Sequence, residues 1–409
     1  MDVSEAYSRS TGMGVPFLLL FLLLVILPVR PAMGQGGTRA GNRSGSVQAY
    51  SVATLAPPGV VVPPIVLSNS DLHALLVELG GGASLNRIRE RIGLSTSDFE
   101  SLLRLVEVEG LGRQLGGDRW RPLALALDSA GVGRLQATVA PLAADIADTL
   151  TAHWARLDSS CAALPVTGCL PLEQTGWVVL GSYLLGLFQH EALWEAGLGP
   201  RSREYAFRVY RMNPDEAPPG AHTSPIELPG FSLIRCAPTA APFGFDALLD
   251  PNADLHASLF TVPGSDTLMI DSAGEGRAVA EELIRAYRRW YLTGEAPDRP
   301  TRILLRLCEA IDEQERLRIP IIAAGELGAL RLIALDTGAR LWPRLMEILP
   351  AVSETAAGLG YGEEALLGEV TLAAWELAVH RALDLLVERG LIAAPIAGRG
   401  QLLLTVANH

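Results

Sequence analysis

The sequence predicts an α+β protein on three observations. An uninterrupted apolar run occupies residues 14–29. Between residues 84 and 123, apolar residues first recur at helical spacing and then flank a glycine-rich turn. Beyond residue 204, short β-rich segments interrupt stretches of helical periodicity. We therefore expect an N-terminal signal or membrane anchor, a small helix–hairpin module, a mostly helical domain with an inserted small β-sheet, and a C-terminal helix and hairpin.

Composition allows two or three domains. The chain has 409 residues, of which 49% are hydrophobic and 19% charged, and its mean hydropathy of +0.26 describes a chain able to bury large cores. Breaks in composition and periodicity give the expected boundaries: a signal peptide or anchor at 1–34, a flexible linker at 35–69, the module at 70–124, a mixed helical and β core domain at 125–360, and a possible second copy of the module at 361–409.

The charged residues exclude several function classes. All 33 basic residues are arginine, and the chain has no lysine. A Walker A phosphate site, a protein-kinase strand lysine and a Schiff base to pyridoxal phosphate all require lysine, so these enzymes are excluded. A net charge of −12 and a pI of about 5.1 also disfavour nucleic acid or an anionic membrane surface as a general partner.

The N-terminal apolar run, GVPFLLLFLLLVILPV, is shorter than the roughly 20 residues of a membrane span. Its length suits a signal peptide, and Ala32-Met33-Gly34 fits the cleavage site, which predicts an exported protein, periplasmic or extracellular. Arginines after the run indicate the alternative of an uncleaved anchor with a cytoplasmic body. A misassigned start codon is a third reading. Residues 35–69 are rich in Gly, Ser and Pro, which predicts a flexible tether.

The module reads as three helices and a hairpin. DLHALLVEL at 71–79 predicts the first helix, and a second ends at Gly93, a typical C-cap residue. Ser95 is a suitable N-cap for the third helix, with Asp98 completing an imperfect capping box. Phe99, Leu102 and Val106 follow at helical spacing. Segments 111–115 and 119–123 then flank Gly-Gly-Asp, which predicts a hairpin.

The motifs GLS at 93–95 and EGL at 109–111, with the arginine-flanked hairpin, resemble winged helix-turn-helix regulators of the MarR and ArsR type. The resemblance covers residues 71–123 and implies a DNA-binding surface. By that resemblance, the third helix would meet base edges and the hairpin arginines would meet phosphate. The matching residues are Thr96, Ser97, Ser101, Arg104, Arg113, Arg119 and Arg121.

The charge of the module points away from DNA. Residues 71–123 contain seven arginines and eight acidic residues, so the module has no net positive charge. Duplex binding draws much of its affinity from neutralised phosphates, and Glu100, Glu107 and Glu109 oppose it. We therefore expect the module to serve as a structural or protein-interaction unit, with DNA binding as the alternative.

After the module, residues 123–157 predict a long helix that Pro141 would kink or divide. Such a helix would form either a homodimer seam or the first helix of the next domain. Residues 175–196 are apolar nearly all round, which favours a buried core helix over a membrane span. His190, Glu191 and Glu195 near its end do not form an HExxH motif, so no metal is predicted there.

The four cysteines would form two disulfides in an exported chain. Cys161 and Cys169 flank a Pro- and Gly-containing loop and are the first expected pair, and Cys236 and Cys308 are the second. In a cytosolic chain they would be buried thiols instead.

Strands are predicted at EYAFRVYRM, FSLIRC, SLFTV and TLMID, and helices at 276–292, 301–318 and 325–349. Asp250, Asn252 and Asp254 copy the start of a calcium loop. Leu255 replaces the turn glycine and Thr261 the bidentate glutamate, so a polar turn is favoured and no metal is expected. Residues 382–406 repeat the order helix, ERGL, strand, turn, strand, which indicates either a degenerate second winged helix or an ordinary terminal hairpin.

No GxSxG elbow, strand-linked GxGxxG or local His-Cys-Asp group is present, so the sequence supplies no catalytic residue and no cofactor. We expect a non-catalytic, exported or membrane-tethered protein that binds an unidentified protein or small ligand. A membrane-tethered DNA-binding regulator is the first alternative. A hydrolase of unfamiliar type in residues 175–271, using His190, His222 or His256, is the second.

Overall fold

The computed structural model describes residues 49–55, 62–195, 204–212, 221–222, 226–228, 230–237, 245, 248, 273–362, 366–395 and 401–406. Within them the chain is an α+β protein, rich in helix, with its strands in small sheets. The expected signal or anchor at 1–34 lies outside these residues. No helix of the described ranges has both the length and the apolar character of a membrane span.

The N-terminal elements are β1 (Ala49–Leu55), α1 (Pro64–Ser68), α2 (Ser70–Gly80), α3 (Leu85–Ile92), α4 (Thr96–Val108), β2 (Gly112–Gly116) and β3 (Arg119–Pro122). The helices α2, α3 and α4 and the β2–β3 hairpin confirm the predicted elements of the module. Gly93 ends α3 with φ 76°, and Ser95 Oγ accepts from the Asp98 amide at 3.2 Å. These caps explain the sharp turn between α3 and α4.

The linker prediction is wrong at Pro64–Ser68, which form α1. It is also wrong for residues 49–55. They form β1, which pairs antiparallel with β5 (Ala206–Met212) from Ala49 opposite Met212 to Leu55 opposite Ala206. The strand β4 (Leu125–Leu127) pairs parallel with the other edge of β5. Apolar residues in the segment AYSVATL, Val52 among them, pack against the module core, which holds this strand in place although its flanks are rich in Gly and Pro.

The helical core begins with α5 (Ser129–Ala152) and α6 (Trp154–Ala162), followed by α7 (Leu172–Val178), a π-helical segment (Val179–Leu187) and α8 (Phe188–Leu193). The helix expected over 123–157 is shorter than predicted, because residues 125–127 form β4 and the helix α5 covers Ser129–Ala152. Of the two outcomes predicted at Pro141, a kink or a division, the division does not occur, because α5 runs through this residue. Pro141 lies on the exposed side of α5, so the carbonyl that loses its hydrogen bond can turn towards water. The expectation of a core helix at 175–196 is met by α7, the π segment and α8, whose residues are nearly all buried.

The remaining elements are β6 (Ala221–His222), β7 (Ile226–Leu228), β8 (Phe231–Ala237), α9 (Ala273–Thr293), α10 (Arg299–Leu307), β9 (Ile321–Ala323), α11 (Leu327–Gly358), α12 (Leu367–Glu388) and β10 (Gln401–Val406). Two of the predicted strands, at 258–262 and 267–271, lie outside the described residues.

Two helix boundaries differ from the prediction. The helix expected at 301–318 ends at Leu307, because the chain then turns back and pairs Ile311 with Leu317. The helix expected at 325–349 continues as α11 to Gly358 and passes through Pro343 and Pro350. Both prolines are exposed, so neither interrupts the packed face.

The C-terminal strand takes its partners from distant parts of the chain. In a separate sheet, β10 pairs antiparallel with β8 and parallel with β9. Residues 391–395, where the preceding strand of a terminal hairpin was expected, carry no strand. The described residues therefore do not form the second winged-helix pattern. The strand β10 pairs with β8 and β9, and no neighbouring strand forms a hairpin with it among these residues.

Three groups of buried residues form the interior, and β5 separates two of them. Tyr205, Phe207 and Val209 pack into the module core, whereas Ala206 and Tyr210 pack into the helical core. The third group joins α9 and α10 with β8 and β9. The alternation follows from the two-residue period of a strand. The module and the helical core are thus built on the two faces of one strand, and residues 47–409 group as one unit.

Candidate functional site

The residues that the winged-helix resemblance assigns to base contact lie on α4. Ser97, Ser101, Arg104 and Val108 recur at intervals of four, three and four, and all four are exposed. They form one line, here called the outer face of α4, opposite the buried Phe99, Leu102 and Val106. Exposed residues on this line are free to contact a partner while the opposite side anchors the helix.

Local hydrogen bonds engage several polar groups at the start of α4. Thr96 Oγ1 accepts from Arg89 Nη1 at 3.0 Å, and Ser101 Oγ donates to the Ser97 carbonyl at 2.8 Å. Ser95 Oγ also donates to Asp98 Oδ2 at 2.6 Å. These bonds fix the first turns of the helix, and a base edge would have to compete with them.

The hairpin register brings two predicted phosphate contacts together. Arg113 lies directly opposite Arg121, and Arg119 lies opposite Gly116 next to a register shift. Arg113 and Arg119 are exposed and Arg121 is half-buried. Cross-strand neighbours of like charge repel each other, so the hairpin holds two positive charges close together.

The same surface carries acidic and apolar side chains. Glu100 and Glu107 flank the outer face of α4, and both are exposed. Val108 is 80% exposed and Leu115 on the hairpin is 42% exposed. The surface is therefore mixed in charge and partly apolar, in contrast to the basic surface that a duplex favours.

A buried ionic cluster lies where β5 meets α12, and we call its four residues, Arg208, Tyr210, Glu369 and Glu376, the Arg208 cluster. Arg208 Nε donates to Glu376 Oε2 at 3.1 Å, and a second guanidinium nitrogen, Nη2, contacts Glu376 Oε1. Tyr210 Oη donates to Glu376 Oε2 at 3.3 Å, and Arg208 Nη1 lies 3.5 Å from Glu369 Oε2. Arg208 and Glu369 are fully buried.

The charges of this cluster depend on one another. Burial by itself lowers the pKa of Arg208, but Glu376 and the other neighbours outweigh it, and the pKa lies above its usual value. Burial raises the pKa of Glu376, and the guanidinium of Arg208 opposes that rise. Burial also raises the pKa of Tyr210, so its hydroxyl keeps its proton. Removing Arg208 or Glu376 alone would leave the other's charge in the interior without its main partner.

Helix α8 adjoins this cluster through His190 and is itself held by buried hydrogen bonds of Gln189. His190 is 1% exposed, and its Nε2 lies 3.9 Å from Glu376 Oε1. Gln189 Nε2 donates to the Leu184 carbonyl at 3.1 Å, and its Oε1 accepts from Trp342 Nε1 at 3.0 Å. His190 is enclosed, so a hydrolase substrate could reach it only if the core opened. The side chain of His222 and the whole of His256 lie outside the described residues.

Sequence reasoning missed the Arg208 cluster. Glu369 and Glu376 stand seven residues apart in the otherwise apolar segment GEVTLAAWELAV, so a helix places both on one side. Two acids on one apolar helix face indicate a buried cation partner. That pattern could have suggested the site, although it does not identify Arg208.

A pocket of about 190 Å³ lies between α5, α6 and α11. Its polar lining includes His153, Arg156, Asp336 and Arg340. Arg156 Nη2 lies 3.3 Å from Asp336 Oδ2, and Arg340 Nη2 lies 3.5 Å from Asp336 Oδ1. Two guanidinium groups therefore share one carboxylate at this pocket.

The expected Cys161–Cys169 disulfide is not formed, because Cys161, Cys169 and Cys308 are free thiols. Cys161 faces the core from α6, whereas Cys169 is exposed and its Sγ donates to the Pro165 carbonyl at 3.3 Å. Burial raises the pKa of Cys161 to about 11 and of Cys308 to about 12, so both stay protonated. The expected Cys236–Cys308 bridge is also contradicted at Cys308; the Cys236 side chain lies outside the described residues.

Metal sites were not expected, and the calcium-loop candidates Asp250, Asn252 and Asp254 fall outside the described ranges. Within those ranges, no group of three or more His, Cys, Asp or Glu side chains is placed to hold a metal ion.

Comparisons with protein-family models, with curated proteins and with solved structures give no match for this chain. The family resemblance of the module therefore stays a prediction. The functional argument rests on the geometry of the surfaces themselves.

Proposed function

We propose that this chain is a non-catalytic binding protein, exported or tethered to a membrane, that contacts a partner protein through the outer face of α4 and the β2–β3 hairpin. The observation that supports this most directly is Val108, 80% exposed in line with Ser97, Ser101 and Arg104. Leu115 on the hairpin is a second exposed apolar residue of the module. Protein interfaces combine apolar residues and arginine in this way.

The attachment of the module suits such a role. β5 anchors it to the helical core on the opposite side from the outer face of α4, since Phe207 and Val209 pack into the same core as Phe99 and Val106. The binding surface would then be presented on a rigid base. Preorganised surfaces lose less conformational entropy when they bind.

Site-specific photo-crosslinking in the native host tests the proposal. We expect a photoreactive residue at Ser101 to give a protein adduct on irradiation, and one at Leu292, which is 46% exposed on α9, to give none. The adduct at Ser101 should disappear in Val108→Asp, whose unchanged circular dichroism would show that the fold is intact. Equal labelling at both positions, or none at Ser101, would contradict the proposal.

DNA binding is the second candidate, and the opposition of Arg113 and Arg121 favours it. It predicts that the affinity for a fluorescent 30-base-pair duplex falls steeply between 50 and 200 mM salt, as expected for phosphate contacts. Arg119→Glu should then weaken binding at every duplex sequence. Affinity that does not respond to Arg119→Glu would exclude this mode, and nuclease-sensitive adducts at Ser101 would favour it over a protein partner.

The location of the protein separates these two candidates. Two experiments measure this location. One is sequencing of the mature N-terminus, and the other is a C-terminal fusion to a reporter that is active only in the cytoplasm. Cleavage after Gly34 with a silent reporter would support export and remove the DNA candidate. An intact N-terminus with an active reporter would support a cytoplasmic body.

A further inference from the structure

The pocket between α5, α6 and α11 combines an apolar floor with a charged rim. Leu150 and Leu157 line it from α5 and α6, and both are buried, while Ile333 is half-buried on α11. Leu332 stands at its edge, 70% exposed. A concave apolar surface with a few polar groups is the usual form of a small-molecule site.

The charged rim has one positive charge in excess. Arg156 and Arg340 both contact Asp336, at 3.3 and 3.5 Å, and Asp336 is the one carboxylate among the residues lining the pocket. His153, at the C-terminal end of α5, lies on the same rim. In a chain with net charge −12, this pocket is a local site for an anion.

The volume limits the size of a ligand. An apolar cavity of roughly 150 Å³ accepts benzene, so a pocket of about 190 Å³ has room for a body of about six carbons. The two guanidinium groups supply hydrogen-bond donors that match a carboxylate. We propose that the pocket binds a small organic monocarboxylate with a short apolar body, its carboxylate on Arg156 and Arg340 and its carbons against Leu150 and Leu157.

In this arrangement the ligand competes with Asp336. Asp336 holds the two arginines at the rim before binding, and the ligand carboxylate takes over part of their hydrogen bonding. Arg156 and Arg340 are 66% and 41% exposed, so their pairing with Asp336 contributes little to folding. The pocket is separate from the outer face of α4, and either site can fail its test independently.

Titration of the full chain by heteronuclear NMR or calorimetry tests the ligand class. Hexanoate should bind saturably, whereas hexan-1-ol, which lacks the charge, and acetate, which lacks the apolar body, should bind at least about tenfold more weakly. If hexan-1-ol bound with the same affinity as hexanoate, the site would recognise only the apolar body. If acetate bound with the same affinity as hexanoate, the pocket would be a general anion site. Either result, or no saturable hexanoate binding, would overturn the proposal.

Three variants test the residues. Arg340→Gln should weaken hexanoate at least about tenfold because it removes a charge-assisted hydrogen bond. Asp336→Asn should strengthen hexanoate binding because it removes the competing carboxylate. Arg344→Gln, on the same helix and paired with Glu347 at 2.8 Å outside the pocket, is the matched control and should leave binding unchanged. Unchanged affinity in Arg340→Gln with native circular dichroism would overturn the assignment.

Discussion

Arg208 shows how a single residue governs the interior. A guanidinium removed from water is tolerated only where carboxylates and hydrogen bonds compensate for its lost solvation. Glu376 binds it through both oxygens, and Glu369 lies 3.5 Å from its third nitrogen. The loss of Arg208 or Glu376 alone is therefore more damaging than the loss of both, because it leaves a buried charge without its partner.

Replacing Arg208 by methionine should lower the free energy of unfolding by about 3–5 kcal/mol, because two buried carboxylates lose their cation. Urea unfolding followed by circular dichroism measures this. The double variant Arg208→Met/Glu376→Gln should recover part of the loss. Arg344→Met, which removes an exposed pair, is the control and should leave the unfolding midpoint where it is. A single variant as stable as the wild type would show that the cluster is not energetically important.

His73 gives stability a pH dependence. Burial lowers its pKa, partly opposed by a hydrogen bond of 2.8 Å between Nε2 and the Val66 carbonyl. The unfolded chain therefore takes up a proton near pH 6.5 that the folded chain resists. The stability that His73 contributes is complete above that pH and is lost as the pH falls through the interval down to the lowered folded pKa.

The test compares the wild type with His73→Gln, which keeps a donor for Val66 but does not titrate. We expect the unfolding free energy of the wild type to fall more than that of His73→Gln when the pH is lowered from 7.5 to 5.5. His380, whose pKa burial also lowers, acts in the same direction in both proteins and cancels in the difference. A difference that is constant with pH would contradict this role for His73.

At the scale of elements, α11 packs closely against the π-helical segment and α8. Gly338 is the point of contact, since a methyl group there would lie 2.3 Å from Gln189 Oε1. Gln189 is fully buried and bonds to the Ala334 carbonyl and to Trp342. A side chain at 338 would displace this buried hydrogen-bonding group.

Gly338→Ala should therefore destabilise the protein by about 1–3 kcal/mol through overpacking and loss of buried hydrogen bonds. Gly328→Ala, ten residues earlier on the same helix, is the matched control. An added methyl group there meets nothing within 4 Å, so the change should stabilise by about 0.5–1 kcal/mol through helix propensity. Thermal unfolding of both variants measures the contrast, and equal effects would refute the packing argument.

Local sequence chemistry predicted many elements well. The caps at Gly93 and Ser95 and the glycine-rich turn of the hairpin were sufficient to predict α3, α4, β2 and β3. The division of the helix considered at Pro141 does not occur, because Pro141 lies at the surface, where the loss of one backbone hydrogen bond costs less. The predicted end of α10 was also wrong. The helical periodicity continues to residue 318, but the chain turns back after Leu307 and pairs Ile311 with Leu317.

At the scale of the whole molecule, the module is not an independent domain. Its core is completed by Phe207 and Val209 of β5 and by the adjoining Tyr205, which follow the hairpin by about eighty residues. Tyr50 and Val52 of β1 cover the same core. Without these strands the apolar sides of α2 and α4 would face water.

We expect the excised segment 62–127 to be largely unfolded, although it contains every helix and hairpin strand of the module. Its circular dichroism should show much less helix than the module has in the intact chain, and its amide spectrum should be poorly dispersed. The full chain is the reference. A well-dispersed spectrum for the excised segment would show that β5 is dispensable and that the module folds alone.

The sequence by itself determined the local elements, because helical periodicity, caps and turn glycines act between residues a few positions apart. The tertiary structure alone decided the pairing of β1 with β5, the partners of β10 and the Arg208 cluster, whose Arg208 and Glu376 stand 168 positions apart. Such contacts depend on how distant segments pack against one another. The sequence around an arginine in a strand does not show whether its side chain contacts water or a buried glutamate. The same holds for the α11 pocket, which three helices form together.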